Sequence, residues 1–164
     1  MNLVKIISVS LLGNLAQSLY DNLFNKTPYP IRGSVVYCDL AFGHAEHSGI
    51  YIGDDQIVHR NKYGLIEIVS SRGFLAGTTA ITIYVSCDCN GRAVGDEDIA
   101  ILAESMVGSL HDYSLLSRNC HQFCSYCLNG NWSNSNVLLT QLKSEAKLFL
   151  RASQWRAWDL LHRP

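Results

Sequence analysis

Three cysteines fall within eight positions of the stretch RNCHQFCSYCLNG, residues 118–130: Cys120, Cys124 and Cys127. A thiolate is both a nucleophile and a soft metal ligand, and a buried thiol is a small apolar filler, so the cluster admits catalysis, metal binding or packing. A second stretch, HSGIYIGDDQIVH at 47–59, places His47 and His59 twelve residues apart. Imidazole is the side chain best suited to general-base work near neutral pH. A cysteine beside two histidines makes a Cys–His–His triad, in which one ring takes the thiol proton and the other orients and polarises the first.

The elements around these residues decide whether they meet. Asn119 suits a helix N-cap and Gly130 a helix stop, so the spacing predicts a helix between them. Cys120, Cys124 and Cys127 then share one face, with Phe123 beside them. Cys124 and Cys127 read as core. Cys120 is the first helical residue, where unpaired N–H groups and the helix dipole favour a thiolate. That position alone leaves two readings, an ordinary thiol or a nucleophile. The GDD turn at 53–55 predicts a hairpin that brings His47 and His59 to the same end of adjacent strands. A lone histidine such as His44, His111, His121 or His162 is more often structural.

The order Cys120-x3-Cys124-x2-Cys127 is similar to the iron–sulfur signature of radical enzymes that use S-adenosylmethionine. Thiols on successive turns of one helix do not converge on a small cluster, and only a short stretch of chain follows. Cys87 and Cys89 lack the paired knuckles of a zinc site. No metal and no cofactor are expected, and the thiols are read as reduced.

Along the chain, residues 3–24 have the spacing of an amphipathic helix, broken by KTPYPIRG at 26–33. Strands are expected at 34–38, 47–53, 56–60, 64–70 and 80–86. A helix is expected from Asp96 to Val107, stopping at Gly108, and a C-terminal helical segment over 136–161. The whole, 1–164, reads as a single α+β domain with its core at about 30–130. The chain has 164 residues, 48% of them hydrophobic, and a net charge of -1, so charge gives no reason to expect nucleic acid. No apolar run is long enough to span a membrane.

Two blocks resemble the lecithin:retinol acyltransferase-like family, which includes the H-Ras-like suppressor phospholipases and acyltransferases. HSGIYIGDDQIVH (47–59) is similar to the family's histidine box, and NCHQFCSYCLNG (119–130) to its Asn-Cys box. RGSVVY (32–37) and VGSLHDYSLLSRNC (107–120) resemble the flanking segments, so the likeness covers about residues 30–130. It implies a circularly permuted papain-like domain with an antiparallel sheet packed on the cysteine helix. It implies Cys120 as nucleophile, His47 as general base and His59 as third triad member. The implied activity is acyl transfer or hydrolysis on a phospholipid or other acyl ester, of phospholipase A or acyltransferase type, through a thioester. The same triad also serves amide hydrolases and peptidases, and the boxes can persist in a non-enzymatic interaction protein. The chain departs from the family at His121, where many members carry an acid, and at Ser48, where a larger aromatic is common. The C-terminal anchor usual in the animal proteins is not expected here. The N-terminal helix and the Trp155–Trp158 segment offer surfaces for peripheral membrane contact or for packing. The expected location is cytoplasmic, with peripheral membrane association.

Overall fold

A computed structural model describes residues 27–40, 45–112, 119–158 and 160. The helix expected at 3–24, like His44 and His162, lies outside the described residues. In order, the elements are β1 (Val35–Asp39), β2 (Glu46–Gly53), β3 (Gln56–Arg60), β4 (Ile66–Ser70), α1 (Ser71–Leu75), β5 (Tyr84–Cys87), α2 (Glu97–Ser105), α3 (Cys120–Asn129), α4 (Leu139–Leu150) and β6 (Gln154–Ala157). The fold is α+β.

The strands form one six-stranded sheet in the order β4-β3-β2-β1-β5-β6, antiparallel throughout. The β2–β3 hairpin closes on Asp54 and Asp55, both at positive φ (48° and 60°). That backbone matches the strand twist, and aspartate tolerates it better than most residues.

Alternation along the strands splits the core into two layers. On one face, Val35, Ile50, Ile52, Val58 and Ile66 pack against α2, α3 and α4. Phe123, Cys124, Cys127 and Leu128 of α3 are part of that layer, which places the cysteine helix directly on the sheet. On the other face lie Val36, Cys38, Tyr51, Ile57, Val85, Phe74 of α1 and Trp158.

The helix expected over 136–161 is shorter and is followed by a strand. It ends at Leu150, Arg151 turns the chain at φ 59°, and β6 then pairs with β5. An open strand edge offers unpaired backbone groups, and pairing there outweighs the helical periodicity of Trp155 and Trp158. The two tryptophans do not present one amphipathic helical face. Trp158 is buried beside Tyr29 and Tyr51, and Trp155 packs on Tyr37. The strand expected at 80–86 begins later, at Tyr84, and α1 was not foreseen. All six cysteines are free thiols. Among the described residues, no helix is long and apolar enough to cross a membrane.

Candidate active site

The histidines are placed by strand register. Gly49 of β2 stands opposite His59 of β3, so His47, two residues earlier, is the diagonal neighbour of His59 on the same face. His47 Nε2 lies 2.6 Å from His59 Nδ1, with the ring planes at 84°. Phe74 stacks on His47 at a centroid distance of 4.8 Å and meets His59 edge-on at 5.8 Å. Gly49 makes room for this arrangement. A Cβ there would sit 2.6 Å from Ile57 Cγ2 and 3.1 Å from Phe74 Cε2.

Cys120 is placed by the start of α3. The Asn119 side chain accepts from the backbone N–H of His121 (3.0 Å) and Gln122 (3.2 Å), a double cap. Its amide donates to the carbonyl of Val137 at 2.7 Å, which ties the cap to the segment before α4. Gly130 ends the helix at φ 70°. Cys120 is 3% exposed. Its sulfur lies 4.0 Å from the carbonyl oxygen of Glu46, the residue before His47, so the thiol sits where β2 begins.

The imidazole hydrogen-bonded to that sulfur is His121, whose Nδ1 is 4.0 Å away and also 2.8 Å from Ser48 Oγ. Ser48 Oγ accepts in turn from Cys124 Sγ at 3.4 Å. The structure therefore joins His47 to His59 and brings Cys120 to the end of the same strand. Among the described residues no hydrogen bond links Cys120 to His47.

Burial dominates the electrostatics. It raises the Cys120 thiol above its ordinary range, although contacts from Ser48 and the backbone N–H groups of His121 and Cys120 pull the other way. The expected preference of a helix start for thiolate is thus outweighed by desolvation. Burial lowers His47 to about 3, with His59 and His121 adding to the shift, and lowers His121 to about 4. His59 is also lowered by burial, with Glu67 opposing. The resting site holds a neutral thiol and neutral imidazoles. A proton leaving the thiol has lone-pair acceptors nearby, while the backbone N–H of Cys120, which the Asn119 cap does not take, suits a developing negative charge.

Cys124 and Cys127 are buried in the α3–sheet layer, and burial raises both thiols. Sequence reasoning passed over four residues of the site. Ser48 and His121 stood out only as departures from a family pattern. Phe74 carried no signal, lying on a five-residue helix. Glu67 was visible only as a polar position in the strand expected at 64–70, and its place opposite His59 needs the register. Among the described residues, no group of three or more His, Cys, Asp or Glu is arranged to hold a metal ion.

The family model described as lecithin retinol acyltransferase matches residues 29–133, which include both histidines and the cysteine helix. The chain is 27% identical to lecithin retinol acyltransferase of Rattus norvegicus over 139 residues, covering 65% of this chain and 59% of the relative. It is 25% identical to the Homo sapiens protein of that name over 138 residues (66% and 59%) and 24% identical to the Bos taurus protein over 129 (61% and 55%). The aligned part thus spans less than two thirds of the length of these relatives. With the match running from the segment before β1 through the whole of α3, the chain belongs to the lecithin retinol acyltransferase family.

Proposed function

We propose that this chain performs cysteine-dependent acyl transfer or hydrolysis on a lipid ester, of phospholipase A or acyltransferase type. The observation that carries the reading is the 2.6 Å His47–His59 pair at the start of β2, with Cys120 Sγ 4.0 Å from Glu46 O at a helix N-terminus. The name of the relatives, which couples lecithin with an acyltransferase, supports a phospholipid as acyl donor. The histidine strands precede the cysteine helix in the chain, which supports the permuted papain-like relation.

Cys120 sulfur attacks the ester carbonyl as its proton passes to His47. Because His47 Nε2 is engaged with His59, the accepting atom is His47 Nδ1. His59 holds the ring and stabilises the imidazolium as it forms. The negative charge on the carbonyl oxygen is met by the backbone N–H of Cys120, the one at the start of α3 that the Asn119 cap does not take. The tetrahedral intermediate collapses, the C–O bond to the glycerol oxygen breaks, and His47 returns the proton to that oxygen. Cys120 is left as a thioester. Water then releases a fatty acid, or another alcohol or amine takes the acyl chain, with His47 accepting the incoming proton. A substrate of this class brings the protein to a lipid surface, consistent with a cytoplasmic, peripherally associated protein.

The test is incubation with phosphatidylcholine vesicles, with and without an added long-chain alcohol or amine. Release of lysophospholipid by the wild type and not by Cys120→Ala supports the reading. Cleavage of a peptide panel without lipid turnover replaces it with amide hydrolysis. Absence of both, with Cys120 inert to a small alkylating reagent, replaces it with a non-enzymatic role.

A further inference from the structure

The histidine pair does not end at His59. Its outer nitrogen, Nε2, is buried without a well-formed hydrogen bond and faces Glu67 Oε1 at 3.4 Å. Glu67 stands directly opposite His59 across β3 and β4. Its carboxylate is held by Asn61, whose Nδ2 donates to the same Oε1 at 2.9 Å. The Asn61 amide has one orientation. Its Oδ1 accepts from the backbone N–H of Tyr63 (2.9 Å) and Leu65 (3.2 Å), so its NH2 group must point at Glu67. The turn after β3 therefore aims a carboxylate at the far side of the His pair.

From this geometry we infer that Glu67 is a positioning residue that sets the tautomer of both histidines and leaves His47 Nδ1 unprotonated for the Cys120 thiol.

The argument is one of proton counting. Neutral imidazole carries one N–H and one lone pair. If the His59 proton is on Nε2, the N–H faces the carboxylate 3.4 Å away and is attracted to it, and His59 Nδ1 must accept from His47 Nε2–H. The lone pair of His47 is then on Nδ1, as a base requires. If the His59 proton is on Nδ1, its Nε2 lone pair faces the carboxylate, which is repulsive. His47 then carries its proton on Nδ1 and cannot accept another. The charge-assisted contact favours the first arrangement. Because the Glu67 side chain is 38% exposed, the bias is about tenfold in tautomer ratio rather than more. Among the described residues, Glu67 is the charged side chain paired with His59 Nε2.

The inference rests on the triad reading above, but its test does not need turnover. Histidine-15N-labelled protein is examined by imidazole NMR at neutral pH, as wild type, Glu67→Gln and Glu67→Leu. The wild type is expected to show protonated Nε2 on both rings and an unprotonated His47 Nδ1. Both variants are expected to give mixed tautomers, and alkylation of Cys120 by iodoacetamide, followed at its own peptide, is expected to slow about tenfold. The near-isosteric Gln variant keeps the test valid if the Leu variant folds poorly. A wild-type tautomer retained in both variants, a protonated His47 Nδ1 in the wild type, or unchanged Cys120 alkylation despite mixed tautomers would each overturn the inference. Failure of lipid turnover with the expected NMR pattern would count against the proposed activity and leave the tautomer lock standing.

Discussion

His47 and His59 meet nitrogen to nitrogen, with Nε2 of the first 2.6 Å from Nδ1 of the second and the rings close to perpendicular. The contact engages Nε2 of His47, and in the proposed mechanism Nδ1 does the chemistry. A core histidine could make the same bond. What separates the two roles is Cys120, buried at a helix start beside the residue that precedes His47.

Two histidines compete for the role of base, and substitution separates them. His121 Nδ1 is in contact with the sulfur at rest, yet its other tie is to Ser48, within the core layer. His47→Gln is expected to cut turnover of a lipid ester by about 10²–10⁴-fold, the range for loss of a general base. His121→Gln is expected to cost less than about tenfold. Steady-state rates of both variants, with circular dichroism to confirm folding, decide the matter. The reverse order would make His121 the base.

The close approach of Phe74 to the histidine pair depends on Gly49. Gly49→Ala places a methyl group 2.6 Å from Ile57 Cγ2 and 2.9 Å from Val58 O. The strand must shift, and overpacking of this kind costs about 1–3 kcal/mol. Urea unfolding is expected to show that loss, and activity should fall beyond it because the His47–Phe74 stack is displaced. Unchanged stability would mean that the sheet absorbs the methyl group.

The three cysteines of α3 are expected to differ in kind. Cys127 packs against the sheet and has no part in the proposed triad. Cys127→Ala should lower stability by about 1 kcal/mol, a small cavity, and leave turnover within about twofold. Cys120→Ala, at an equally buried position, should cost a similar amount of stability but abolish turnover. A Cys127→Ala enzyme without activity and with normal stability would place that thiol in the chemistry.

Much of this is legible in the sequence. The helix from Asn119 to Gly130 has its cap and its stop written in residue types, and both act as expected. The β2–β3 hairpin could be placed because two aspartates follow a glycine between strands of alternating character. The C-terminal segment was misread because Trp155 and Trp158 satisfy a helical period, while their actual roles depend on the open edge of β5. That edge exists only once the sheet is assembled. Glu67 was hidden for the same reason, since the strand expected at 64–70 gives no register by itself. The balance at Cys120 was also beyond the sequence. A helix start lowers a thiol and burial raises it, and only the enclosure of Cys120 shows which prevails.

The buried neutral histidines make stability depend on pH. Burial lowers His121 from 6.5 to about 4. Between these values the unfolded chain binds a proton that the native state does not, so stability rises with pH in this window and is lost as pH falls through it. His47 acts in the same direction. Urea midpoints measured from pH 7 down to 4.5 should therefore fall, and the fall should be shallower in His121→Gln. The difference is on the order of 1 kcal/mol per pH unit at most. An equal slope in the variant would mean that His121 becomes protonated within the fold.

The most direct test of the account is the mass of the intact protein after brief mixing with phospholipid vesicles, for wild type and Cys120→Ala. The account predicts a wild-type species heavier by one fatty acyl chain, mapped to Cys120, released on addition of an acceptor and absent from the variant. Lipid turnover without any acyl-enzyme, or acylation that persists in Cys120→Ala, would contradict it.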